Sequence, residues 1–278
     1  MDIHQNRGSI KFEEDGADEG VADSGGIAVA SAAVTETYGS PVEIIAATAR
    51  QAQGIIVFGG PRAIITGFGA HIKVLVGAST VEKDKVEAML CRTQGDEQQA
   101  DAFYCPISIP KGTRLSVAVA DDSSAARDCD ISIVVLSGGP WPGSALTHSE
   151  GDGAVTQGFG HPIDPGASAN TKGTPWVEMI AATAFHWRKM MVIFDQNSAT
   201  MGDDQWLMDI GIGAASSEKV KIPNLRAACG SSDDVMTPRV VGTFDCDFPV
   251  GTRISARSQS SDVTSGPRTI RLTLVGFG

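Results

Sequence analysis

The chain repeats itself, and this constrains its fold more than any other feature. Residues 43–57 read EIIAATARQAQGIIV and residues 178–192 read EMIAATAFHWRKMMV, identical at seven of fifteen positions with an offset of 135. Three further matches keep the same order. HIKVLVGAS (71–79) aligns with LMDIGIGAA (207–215), PKGTRLSVAVA (110–120) with PVGTRISARSQ (249–259), and ISIVVLSG (131–138) with IRLTLVGFG (270–278). The offset drifts only from 135 to 139, which is tandem duplication with small loop insertions. One folding unit is therefore used twice, over about 39–139 and 173–278.

Two segments of each copy alternate with period two. Leu115, Val117 and Val119 share one face, as do Ile131, Ile133 and Val135; copy two answers with Ile254 and Ala256, then Ile270, Leu272 and Leu274. That is the pattern of half-buried strands. The intervening DDSSAARD and SSDVTSGP are turn chemistry, and Pro-x-Gly-Thr before each strand is a tight turn. EIIAATARQAQ alone could pass for a helix, but FHWRKMMVIF at the same place in copy two cannot. The reading is strand over 42–46, connection over 47–53 and strand over 54–58; VEKDKVEAMLCR (81–92) is also read as strand. The expected fold is all-β: two tandemly duplicated antiparallel β-sandwich, jelly-roll-like domains. Residues 1–38 are expected to be an extended N-terminal arm, 39–138 domain 1, 139–172 a long Gly/Pro-rich linker and 173–278 domain 2.

Composition narrows the function. A net charge of −11 argues against a nucleic-acid partner and against an anionic membrane surface. The first residues lack the apolar run of a signal peptide, and no stretch approaches the ~20 apolar residues of a membrane span. A soluble chain made in a cytoplasm is expected. Five cysteines without C-x-x-C spacing read as reduced thiols.

Several motifs invite chemistry. DIGIGAASSEK (209–219) imitates a dinucleotide fingerprint, but a Pro-containing strand-like segment follows it instead of a helix. Ser216 and Lys219 have the S-x-x-K spacing without a helix to carry it. His148, Glu150, Asp152, His161 and Asp164 could ligate a metal, but nothing in their spacing sets the geometry. Asp203, Asp204, Asp233 and Asp234 pair only in sequence, as turn residues do. His71 and His186 are not equivalent, so no catalytic histidine is kept in both copies. Glu43 and Glu178 are equivalent, as are Arg114 and Arg253; an inter-strand ion pair made once per domain explains both, and binding is the alternative. Trp141, Trp176, Trp187 and Trp206 are either packing residues or anchors for a protein partner. No enzyme activity, cofactor or metal is expected.

The segments ANTKGTPWVEMIAATA, LMDIGIGAASSEKVKIPNL and FPVGTRISARSQ resemble a β-sandwich module of tailed-bacteriophage virion proteins of the tail, baseplate or fibre-associated kind. The likeness covers all of copy two and copy one more weakly, where NTKG becomes TETYG. It implies a structural virion component, assembled in the host bacterial cytoplasm, with other virion proteins and copies of itself as partners. Capsid decoration and receptor or carbohydrate binding, with Trp187 or Trp206 against a sugar, are the alternatives.

Overall fold

The structure is a computed structural model. It describes residues 11–15, 26–62, 68–93, 101–137, 146–151, 160–173, 175–196, 204–229, 236–237, 240–261 and 269–278. Among these there is no helix; the chain is all-β, two sandwiches of antiparallel sheets. The first sandwich is built from β1 (Lys11–Asp15), β2 (Ile27–Ala30), β3 (Val42–Ile45), β4 (Gly54–Pro61), β5 (Phe68–Val76), β6 (Lys83–Thr93), β7 (Asp101–Cys105), β8 (Leu115–Asp121) and β9 (Asp128–Ser137). The second is built from β10 (Ser149–Gly151), β11 (His161–Ile163), β12 (Val177–Ile180), β13 (Trp187–Gln196), β14 (Asp204–Ile212), β15 (Lys219–Cys229), β16 (Met236–Thr237), β17 (Val240–Phe248), β18 (Ile254–Ser260) and β19 (Ile270–Phe277).

Each sandwich has two sheets in the same order. Sheet I runs β1–β9–β4–β7, with β2 also on β9, and faces sheet II, β3–β8–β5–β6. Sheet III runs β10–β19–β13–β17, with β11 also on β19, and faces sheet IV, β12–β18–β14–β15–β16. Irregularities of register are duplicated as well. The β3–β8 pairing shifts between Glu43 and Ile45, and β12–β18 shifts between Glu178 and Ile180. The β5–β6 and β14–β15 pairings shift at Ile72/Val74 and at Met208/Ile210. An inserted residue turns a strand and re-aims its side chains, so it belongs to the fold rather than to chance.

The domain boundaries differ from the sequence reading. The segment expected to be an extended N-terminal arm contributes β1 and β2, both paired to β9. The segment expected to be a linker contributes β10 and β11, both paired to β19. The duplication thus begins near residue 11 and near residue 149. Gly-, Ser- and Asp-rich composition concealed these strands, because each is short and borrows its stability from one long neighbour. The expected strands over 42–46, 54–58 and 81–92 appear as β3, β4 and β6.

The two cores explain the strands. Ile55, Val57, Phe103, Ile131, Ile133 and Val135 face Ile72, Val74, Val117 and Val119 across domain 1. Trp187, Met190, Val192, Phe194, Leu272 and Leu274 face Trp206, Met208, Ile210, Ile254 and Ala256 across domain 2. One exception joins the two. Met191, Ile193, Val275 and Phe277 alternate with the domain 2 core residues on β13 and β19, yet pack into the core of domain 1. Sheet III is therefore buried on both faces, which is why β13 reads MMVIF without alternation.

Candidate functional site

The phrases written twice turn out to be each other's partners. Thr48, in the first AATA, donates its Oγ1 to the Pro110 carbonyl at 2.9 Å and accepts from the Thr113 amide at 3.1 Å. Thr183, in the second AATA, does the same with Pro249 at 2.9 Å and Thr252 at 3.1 Å. Gly112 and Gly251 sit at φ 79° and 78°, a conformation only glycine adopts freely. Each donates its amide to the carbonyl of that same threonine, at 2.7 and 2.8 Å. AATA and Pro-x-Gly-Thr are two halves of one locked turn.

A second clamp uses the Arg–Glu pairs. Arg114 Nε donates to Glu43 Oε2 at 2.6 Å, and Arg253 Nε to Glu178 Oε2 at 2.6 Å. Each guanidinium also reaches a carboxylate that pairwise sequence reasoning missed, Glu82 at 2.8 Å and Glu218 at 2.9 Å. These are the buried members, with side chains 8% and 3% exposed. The signal was present: VEK and SEK follow the same strand in both copies. Glu82 is held below the usual carboxylate range by its own backbone amide and by Arg114, against burial. For Glu218 burial is the largest influence and pushes upward, but its own amide and Arg253 together outweigh it. Both arginines are pinned in their charged form, first by Glu43 and Glu178. The clamp ties three strand ends together and leaves the guanidinium facing protein.

The tryptophans divide. Trp187 and Trp206 are fully buried in the domain 2 core, so neither can meet a partner or a sugar at the surface. Trp187 donates its indole N–H to Glu150 Oε2 at 3.0 Å, which also accepts from the Ala184 amide at 2.9 Å. Trp176 is half-buried on the outer face of sheet IV, against Gly211, where a Cβ would come within 2.8 Å of the ring. Trp141 lies outside the described residues.

Trp176 belongs to a polar cluster. The Arg257 guanidinium stacks 4.6 Å from its ring centre and donates to Asp209 Oδ2 at 3.0 Å. Lys172 Nζ and the Asn224 amide reach Asp209 Oδ1 at 2.8 and 3.0 Å. Burial pushes Asp209 upward, yet these donors hold it below the carboxylate range; burial also lowers Lys172. The cluster fastens Lys172 and Trp176 to the outer face of sheet IV. Domain 1 makes the same fastening differently, with Lys73 lying 4.4 Å from the centre of the Tyr38 ring. Beside the cluster, Asn170, Gln205, Arg226, Gln259 and Ser261 line a recess of about 260 Å³.

Other sequence candidates do not converge. Ser216 has φ 66° in a β-turn, and Lys219 opens β15, so the S-x-x-K pair and the fingerprint-like glycines form a hairpin. His148 bonds Thr147, His161 lies in β11, and Asp164 caps the Gly166 amide at 2.7 Å. Among the described residues no group of histidines, cysteines and acids could hold a metal. His186 pairs with Asp247 at 2.5 Å at the surface, whereas His71 is buried and its pKa falls to about 3 through desolvation. Asp204 opens β14; Asp152, Asp203, Asp233 and Asp234 lie outside the described residues.

The most developed interaction surface is the contact between the domains. β6 and β7 are the edges of sheets II and I on one side of domain 1, and the outer face of sheet III closes that side. Its rim is polar. Lys85 Nζ donates to the Thr147 carbonyl at 2.7 Å, Ser149 Oγ to the Lys85 carbonyl at 2.5 Å, and Thr243 Oγ1 to the Tyr104 carbonyl at 3.4 Å. An apolar centre with a hydrogen-bonded rim is the anatomy of a specific protein interface.

No family model and no curated protein matches the chain. Among solved structures, one described as PNGF-II is 8% identical at a TM-score of 0.42, over 96% of this chain and 65% of its own. The N-terminal CBM22-1–CBM22-2 tandem domain of Xyn10C from Paenibacillus barcinonensis is 13% identical at a TM-score of 0.25, over 99% of this chain and 93% of its own. This chain thus spans about two thirds of the first, and with both TM-scores below 0.5 neither likeness bears on function.

Proposed function

We propose that the chain is a non-enzymatic structural component of a bacteriophage virion, of the tail, baseplate, collar or fibre-associated kind, acting by protein–protein assembly. The observation that carries this reading is the domain contact. Met191, Ile193, Val275 and Phe277 from one sandwich complete the apolar core of the other. A sheet that buries both faces by stacking one sandwich on another is a building contact. The duplicated phrases support the same reading, because the residues they preserve hold turns and strand ends in place. The resemblance of the sequence to virion modules supplies the setting.

The test is to purify particles of the phage that encodes the chain, identify it by mass spectrometry and place it by immunogold labelling. A tail component is expected at a few copies per particle, at one end. Label spread over the head at high copy number would replace this with capsid decoration. Absence from the particles would sink the virion reading. The carbohydrate-binding alternative loses Trp187 and Trp206 to the core and keeps the sheet IV face with Trp176; a glycan array tests that face.

A further inference from the structure

The contact between the domains has two unused halves. The first lies on domain 2. Val86, Met89 and Cys105 are fully buried on the side of domain 1 that sheet III closes. By register their counterparts in domain 2 are Ile222, Leu225 and Phe244. Ile222 and Phe244 are only half-buried, as is Cys246 two residues along β17. Among the described residues β16 lies on that side, but it pairs with Ala228 and Cys229 at the far end of β15 from Ile222.

The second half lies on domain 1. Met191, Ile193, Thr273 and Val275, on the outer face of sheet III, are all fully buried. By register their counterparts on sheet I are Ile56, Phe58, Ser132 and Val134. Ile56 and Val134 are half-buried, and Phe58 is 37% exposed where Ile193 is 0%. Phe58 with the half-buried Ile56 and Val134 gives this face an apolar patch, and contiguous apolar patches mark interaction surfaces.

Charge fits as well. Within the chain β10 lies against β6. The counterpart of β10 is β1, whose sequence KFEED carries three acids. The counterpart of β6 is β15, where Lys219, Lys221 and Arg226 are exposed. The two strands that would meet are of opposite charge.

We infer that the contact between the domains is repeated between molecules: the Ile56/Phe58/Val134 face of one copy seats on the Ile222/Phe244/Cys246 side of domain 2 of a second copy. The partner is another molecule of this chain, and the inference rests on the assembly reading above. The contact is head-to-tail, joining unlike patches, so it closes into a ring or extends into a filament according to its rotation.

Two blocking variants test it. Phe58→Asp spoils the sheet I face and leaves domain 2 intact; Ile222→Asp does the reverse. Circular dichroism checks that each is folded, and Lys221→Glu, at an exposed position, gives a milder block of the second side. By sedimentation velocity the wild type is expected as a ring or a concentration-dependent series, and each variant as a monomer. An equimolar mixture of the two variants is expected to give dimers and nothing larger, because one sound face of each kind remains. A wild type that stays monomeric, variants that assemble like the wild type, or a mixture that stays monomeric would overturn the inference. A monomeric wild type found in particles sinks only this inference. A self-assembling protein missing from particles sinks only the virion reading.

Discussion

Trp187 lies with the face of its indole against Gly276, on the neighbouring β19, with no room for a side chain between them: a Cβ at 276 would overlap the ring. The indole is fully buried and anchored by Glu150, so it cannot swing aside. Gly276→Ala is expected to cost about 2–3 kcal/mol, the upper range for overpacking. Denaturant melts measure it. In a Trp187→Leu background the same alanine should cost far less, and an equal cost in both backgrounds would refute the contact as the cause.

Arg253→Met should destabilise the protein in a pH-dependent way. Glu218 has a folded pKa below its ordinary 4.5. A depressed carboxylate contributes stability above its unfolded value and loses it as pH falls through the folded one. Removing Arg253 strands a buried charge at neutral pH. The drop in Tm should therefore be largest near pH 7 and shrink below about pH 4. Adding Glu218→Gln should recover part of it.

His71 sets an acid limit on domain 1. Its pKa falls from 6.5 to about 3 because the ring is wholly buried. The folded state holds it neutral, so its stability is intact above pH 6.5 and is lost progressively as pH falls toward 3. At pH 4.5 the loss is roughly 2–3 kcal/mol. Leu207 occupies the same place in domain 2. His71→Leu should flatten stability between pH 6.5 and 4.5; an unchanged acid slope would assign it to other groups.

The cysteines should be chemically quiet. Four are buried, and the half-buried Cys246 is pushed to about 12, first by burial and then by Asp245 and Asp247. At pH 8 about one thiol in ten thousand is then thiolate at that site. Iodoacetamide should leave the native protein unlabelled over an hour and modify all five after denaturation, read by intact mass.

The sequence carried the fold class because strand alternation and duplication are local and redundant: FHWRKMMVIF ruled out the helix that EIIAATARQAQ allowed. It carried the Arg114–Glu43 and Arg253–Glu178 pairs because both partners recur. It held Glu82 and Glu218 as well, in VEK and SEK, but matching residues two at a time does not show that a third shares the arginine. Nor did it show β1, β2, β10 and β11, because short edge strands among glycines have no period of their own to detect. Trp187 and Trp206 were open between core and surface, since an isolated tryptophan in a β pattern looks the same in either place. MMVIF held the clue to the domain contact, because an unbroken apolar run on a strand calls for cover on both faces.

That contact also sets an order of events. A ribosome finishes every strand of domain 1 before it begins β13 and β19, which supply the last pieces of the domain 1 core. The N-terminal sandwich therefore waits, with Val86, Met89 and Cys105 uncovered, until the C-terminal sandwich has formed beside it. The two should unfold together in one calorimetric transition, and the chain cut after β9 should aggregate where the whole chain does not.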